Sequence, residues 1–263
     1  MTRQPVSLLL AVILSGCVTS QYSIPSQRQE YTFTTTEQEV GLGRRLAKHV
    51  DAELILLADE TVQDRVRSIG RRLAEICDRK ELVYHFAVVT DAEVNAFSLP
   101  GGYVYVNEGL IKRTASDDEL AAVIAHEIAH IAARHAVRRY ESGLGAQLVH
   151  LASLVAVRDA RAVQGVSVAM QVAQLSYARQ DELEADQLAV RYLKAAGFDP
   201  KGALSFLERL QGIRFTEQPH YLPPGVTRPQ YGMTHPFIPD RLRVVKEELF
   251  GVADYVDYLN APE

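Results

Sequence analysis

Cysteine is scarce in this chain: 263 residues contain two, Cys17 and Cys77. Cys17 belongs to the N-terminal leader considered below, so one thiol remains, and one thiol cannot staple a domain internally. Cys77 ends the segment Leu73-Ala74-Glu75-Ile76-Cys77, in the tail of an expected helix, and reads as a small buried hydrophobe or as half of an intermolecular pair. Long apolar runs are missing too. A membrane-spanning helix needs about 20 apolar residues. Val6 to Leu14 is too short, and the run from Gly143 to Val157 is about fifteen residues, ended by Arg158, Asp159 and Arg161. There is no excess of positive charge. The formal net charge of −5 argues against nucleic acid as a partner. No phosphate-binding loop is present: Gly41-Leu42-Gly43 lacks both a third glycine and a preceding strand. No internal repeat is visible. What remains is an ordinary globular balance, 47% apolar and 23% charged. Without its leader the chain is about 250 residues, enough for one well-filled domain or a compact pair of lobes.

The most informative stretch is His126-Glu127-Ile128-Ala129-His130, an H-E-x-x-H pattern inside a strongly helical segment. Two histidines four apart project from one helix face. Both imidazoles can reach one zinc ion at about 2.0–2.1 Å. Glu127, next to the first histidine, can then act as general base toward water at that ion. Two surface histidines on a solvated helix would give the same pattern, but the neighbours argue otherwise. Leu120 to Ala125 is almost wholly apolar, so the helix is expected to be buried, and buried Glu and His need partners. Ser116-Asp117-Asp118-Glu119 has the form of a capping box, and basic residues Arg134, Arg138 and Arg139 follow. The helix is expected from about Asp117 to Tyr140. His135 is out of phase with the pair and reads as a surface histidine or as support for a ligand.

Two histidines do not complete a catalytic zinc site, which needs three protein ligands and an open position. A second helix, expected to start near Tyr177 and stopped by Gly197, carries Glu182, Glu184 and Asp186. Asp199-Pro200 opens another. Glu182 and Asp186 share a face, whereas Glu184 points elsewhere. Glu182 on the metal with Asp186 holding a ligand histidine would fit. An acidic first turn favoured by the helix dipole would fit equally well.

The H-E-x-x-H pattern, followed some fifty residues later by Arg179-Gln180-Asp181-Glu182-Leu183-Glu184-Ala185-Asp186, resembles metallopeptidase family 48. These are the CAAX-prenyl-protease-like and HtpX-like gluzincins. Two more stretches resemble that family: Asn95-Ala96-Phe97-Ser98-Leu99-Pro100-Gly101-Gly102, and Thr234-His235-Pro236 with Arg241 beyond it. The likeness spans about Thr36 to Phe250 and lies nearest the periplasmic lipoprotein or soluble members. It implies one zinc ion held by His126, His130 and Glu182, with Glu127 catalytic and Asp186 in support. It also implies roles for Asn95, His235 and Arg241. Asn95 can hold the substrate backbone. His235 can assist the reaction or plug the open metal position. Arg241 can stabilise an oxyanion or position substrate. A loop histidine beside Pro236 and an ordinary salt bridge are the plain alternatives for the last two.

The first sixteen residues read as an address. Arg3 gives a basic start, Val6 to Leu14 an apolar core, and Leu14-Ser15-Gly16-Cys17 resembles a bacterial lipoprotein signal box. Cleavage before Cys17 would leave a lipidated N-terminus, stably anchored by several acyl chains. Val18 is not the aspartate associated with inner-membrane retention, so an outer-membrane anchor facing the periplasm is expected. The expected division is a signal peptide over 1–16, the lipidated Cys17 and a flexible tether over 17–35, and a metallopeptidase domain over 36–263.

Within that domain, Thr36-Glu37-Gln38-Glu39 looks like a capping box opening a helix to about Leu57. A second helix is expected over Glu60 to Cys77, with Val62, Val66, Ile69 and Leu73 on one face. A strand at His85 to Thr90 precedes a hairpin turned by Gly101-Gly102. The order predicts a mainly helical α+β fold, zincin-type, with a small sheet beside the H-E-x-x-H helix. An edge strand there could hold extended substrate by strand addition. Residues 143–175 read as a helical hairpin, with His150 structural. Residues 214–234, with Pro219, Pro223, Pro224 and Pro229, read as a loop able to gate the metal.

The expected activity is zinc-dependent endopeptidase, and the resemblance implies unfolded or misassembled envelope proteins as substrates. The multi-span chamber of the prenyl-protein relatives is missing, which argues against that substrate. The rival expectation is an outer-membrane protein assembly factor or chaperone with a latent, plugged zinc site, working with the assembly machinery.

Overall fold

The structure is a computed structural model that describes residues 19–23, 28–143, 177–212 and 234–251. Residues 1–18 with Cys17, 144–176 with His150, and 213–233 lie outside the described residues. No helix among the described residues is long and apolar enough to cross a membrane.

The described residues begin with an antiparallel pair, β1 (Thr19–Ser23) and β2 (Arg28–Thr32), in register from Thr19 opposite Thr32 to Ser23 opposite Arg28. The tether was expected to be flexible here. Tyr31 and Thr32, followed by Phe33 and Thr34, are aromatic and β-branched, residue types that fit a strand.

Helix α1 (Thr36–Glu53) starts one residue earlier than its apparent box. Thr35 is the cap: its hydroxyl accepts from the Gln38 amide, and the Gln38 side chain accepts from the Thr35 amide. The shift leaves Glu39 outside the cap, and its side chain turns into the core, fully buried. Helix α2 (Glu60–Ala74) is capped by Asp59 and buries Val66, Ile69 and Leu73 along one face.

Strands β3 (His85–Val89), β4 (Ala96–Leu99) and β5 (Tyr103–Asn107) form a mixed sheet in the order β3-β5-β4. β3 runs parallel to β5, and β4 pairs antiparallel with it across the Gly101–Gly102 turn. Both glycines have positive φ, 77° and 104°, conformations that a side chain would strain. Successive side chains face opposite sides of a strand. Val89, Phe97, Leu99 and Tyr105 pack against α1, while Phe86, Val88, Ala96, Val104 and Val106 join the larger core.

Short helix α3 (Glu108–Arg113) leads to α4 (Asp117–Ala132), the buried centre of that core. Leu120, Ile124 and Ile128 are fully buried, each worth about 1.5–3 kcal/mol of transfer free energy. Only half of the expected capping box forms: Ser116 accepts from the Glu119 amide, while the Glu119 carboxylate accepts from Ala115 and Arg209. The helix does not run on to Tyr140. It breaks at Ala133 and Arg134, where Arg134 has φ 56°, and helical structure resumes over 135–143. Helices α5 (Arg179–Ala196) and α6 (Lys201–Gly212) pack against α4, and α7 (Ile238–Phe250) packs on α5 and α6. The fold is therefore mainly helical α+β, with β4 at the sheet edge next to the H-E-x-x-H helix, as the element order predicted.

Candidate metal centre

Helix α4 places His126, Glu127 and His130 in the interior, and α5 crosses it with Glu182 and Asp186. The residue pair four apart on α5 thus faces the pair four apart on α4. His126, His130, Glu182 and His235 each offer a ligand atom, and these atoms all lie within 4.8 Å of one another. His126 Nε2 is 3.0 Å from His130 Nε2 and 3.4 Å from Glu182 Oε2, and His130 Nε2 is 3.5 Å from Glu182 Oε1. Four ligands about 2.1 Å from one tetrahedral ion lie about 3.4 Å apart. The three side chains match the edges of that figure.

The donor chemistry fits a cation as well. Asp186 Oδ1 lies 2.9 Å from His126 Nδ1, which leaves Nε2 to face the cluster. Burial and Arg241 both disfavour a charge on His126, yet Asp186 prevails and pushes its pKa up to about 9. Burial holds His130 well below the usual histidine value. The two Nε2 atoms face each other across the cluster. Burial would raise Glu182, but His235, Arg241 and the two ligand histidines more than offset it and hold its carboxyl well below the usual range. Glu182 Oε2 accepts no hydrogen bond among the described residues.

Glu127 is fully buried, and its two oxygens differ. Oε2 accepts from the Ser98 hydroxyl at 2.9 Å. Oε1 accepts no hydrogen bond among the described residues and lies 3.3 Å from His235 Nε2. His235 Nδ1 is 3.3 Å from His126 Nε2 and 3.1 Å from Glu182 Oε1, so that nitrogen stands at the fourth vertex.

Arg241 is 2% exposed. It donates to both oxygens of Asp186, at 2.7 and 2.9 Å, and to the His235 carbonyl, and it lies 3.2 Å from Glu182 Oε2. Its guanidinium is spent on the ligand set rather than aimed at an oxyanion. Asn95 is buried near the same point. Its Oδ1 accepts from its neighbour Ala96 and from the Thr234 hydroxyl at 3.2 Å, which ties the head of β4 to the residue before His235.

Two contributors, Ser98 and Tyr177, have no assigned role in the sequence. Ser98 shares a strand face with Ala96, toward α4, and a polar residue on a buried strand face was the available signal. Tyr177 stacks on His130, ring centroids 3.8 Å apart and 16° from parallel. No spacing rule points to it. Of the two readings of His135, the surface one fails and the supporting one fits: it is 1% exposed, with Nδ1 2.7 Å from His130 Nδ1.

A helix-borne His/His/Glu cluster beside a short sheet edge defines a zincin-type centre. The model of Peptidase family M48 matches residues 60–249, and this chain belongs to that family. It is 29% identical over 217 residues to the β-barrel assembly-enhancing protease of Escherichia coli, covering 78% of this chain and 42% of that protein. The Yersinia pestis protein of the same name is 28% identical over 255 residues, 90% of this chain and 50% of its own length. The mitochondrial metalloendopeptidase OMA1 of Saccharomyces cerevisiae is 26% identical over 246 residues, 86% and 70%. The chain spans about half the length of the assembly-enhancing proteases it matches.

Proposed function

We propose that this chain is a zinc-dependent metalloendopeptidase of the bacterial cell envelope that acts on unfolded or misassembled envelope proteins. The observation that carries it is the convergence of His126, His130 and Glu182 at tetrahedral-edge distances, with the Glu127 carboxylate beside them. Zinc held there supplies Lewis acidity toward a peptide carbonyl and toward water. Glu127 takes a proton from water on Oε1 and returns it to the leaving amine, while Ser98 holds Oε2 in place. Asp186 fixes the His126 ring, and Arg241 fixes Asp186. Substrate enters as an extended strand along β4, so recognition rests on backbone bonds and reads little sequence. That suits unfolded chains, and the names of the assembly-enhancing relatives support an envelope substrate. Lipid on Cys17 would hold the domain at the outer membrane, facing the periplasm.

One observation favours a second reading. His235 Nδ1 lies 3.3 Å from His126 Nε2 and 3.1 Å from Glu182 Oε1, close enough to compete for the open metal position. A latent site would suit an assembly factor or chaperone that cleaves rarely. Casein digestion by the full chain in detergent, with metal content measured on the same sample, separates the two. The peptidase reading expects cleavage at about one zinc per chain, abolished by Glu127→Gln and by chelation. Full zinc without cleavage, relieved by His235→Ala, establishes the latent reading. Cleavage that persists in Glu127→Gln sinks the mechanism.

A further inference from the structure

The break after α4 gives His130 a partner that an unbroken helix would deny it. Five residues along a regular helix turn a side chain about 140° away. Arg134, in the left-handed region at φ 56°, redirects the chain so that His135 folds back onto His130. A residue with a side chain is strained there and persists only where its surroundings fix it. Here they do: Arg134 donates to Glu39 at 3.0 Å, to the Thr32 hydroxyl and to the Thr34 carbonyl.

We propose that His135, oriented by Glu184 and Asp181, is a positioning residue that holds His130 in the tautomer able to bind a metal. The inference rests on the reading of His130 as a zinc ligand. To ligate through Nε2, His130 must carry its proton on Nδ1. That atom faces His135 Nδ1 at 2.7 Å, a distance at which one nitrogen donates and the other accepts. His135 Nδ1 must therefore accept, which places its own proton on Nε2. His135 Nε2 lies 3.5 Å from Glu184 Oε2 and 3.6 Å from Asp181 Oδ1. Ionised carboxylates only accept, so they select that tautomer of His135. Arg138, 3.0 Å from Asp181 and 3.8 Å from Glu184, holds both in place. The reverse order would put the His130 proton on Nε2, pointing into the cluster, where it blocks ligation. His126 is set by Asp186 directly; His130 is set by carboxylates acting through a second histidine. Glu184, which turns away from the metal face of α5, thereby acquires a role.

The test is the zinc affinity of the full 263-residue chain in detergent, measured by competition with a chromophoric chelator. Wild type, His135→Leu and His135→Asn are compared, with circular dichroism as the folding check. Leu fills the ring volume without an acceptor, whereas Asn keeps an oxygen near the Nδ1 position. The expected result is zinc binding weakened roughly 10- to 100-fold in His135→Leu and largely restored in His135→Asn. Equal affinity in a folded His135→Leu protein overturns the proposal. Absence of zinc from wild type overturns the ligand assignment beneath it, a separate outcome. Should the Leu variant not fold, ¹⁵N-histidine NMR of the zinc-loaded wild type decides the matter. A proton on His135 Nε2 supports the relay, and one on His135 Nδ1 overturns it.

Discussion

Glu39 and Arg134 stand 95 positions apart in the chain, and their side chains meet at 3.0 Å in the interior. The same carboxylate receives Arg79 at 2.9 and 3.1 Å and the Gly101 amide at 3.3 Å. One buried anion on α1 thus fixes the turn that closes β4 and the kink that returns His135 to His130. Both supports of the metal cluster converge on it.

Removing that anion leaves the buried Arg134 without the carboxylate it donates to, and Arg79 with Glu81 alone. Glu39→Ala is expected to destabilise the chain by about 3–5 kcal/mol. Urea unfolding of the full chain measures it, and a loss under about 1 kcal/mol would show that the network is dispensable.

Gly43 makes a related contact. A Cβ on Gly43 would lie 1.9 Å from the Pro100 carbonyl oxygen, so α1 and the β4–β5 turn must separate to accept one. Gly43→Ala is expected to lose about 1–3 kcal/mol although alanine favours helix. A stabilised protein in the same unfolding assay would contradict this close approach.

Ser98 donates to Glu127, the proposed general base, at 2.9 Å. A hydrogen bond to a charged group is worth about 1.5 kcal/mol or more. Ser98→Ala should lower kcat about tenfold. KM and zinc content should hold, and Ser98→Thr should restore most of the rate. A change confined to KM would give Ser98 a substrate contact instead.

Glu119 sets the acid limit of the α4 cap. Burial would raise its carboxyl, but Arg209, the Ala115 amide and Ser205 prevail and hold it below the usual value. A lowered folded pKa gives stability that is complete above the unfolded value, about 4.3, and is lost as pH falls through the folded one. Arg209 is 42% exposed, so the ion pair is discounted to about 1 kcal/mol. Arg209→Ala should therefore lower the urea midpoint at pH 7, by an amount that shrinks as pH falls through the folded pKa of Glu119. An effect of equal size across that range would assign the loss to packing.

The metal helix was legible because its signal is local: two histidines one turn apart, an apolar approach and a serine cap all lie within fifteen residues. Glu182 was legible only through resemblance, since an acidic helix start gives the same spacing as a ligand. The break at Arg134 and the one-residue shift of the α1 cap share a cause that local pattern does not contain. Thr35 and Thr36 can both cap a helix, and the choice falls to Glu39, whose partners are Arg79 and Arg134. The stacking of Tyr177 on His130 likewise exists only once α5 crosses α4.

The most direct test is the zinc content of the purified full chain beside His126→Ala and His130→Ala, after equilibration with limiting metal. The account predicts about one zinc per chain in wild type and little in either variant, with all three proteins folded. Zinc retained in full by folded His126→Ala and His130→Ala proteins would contradict it.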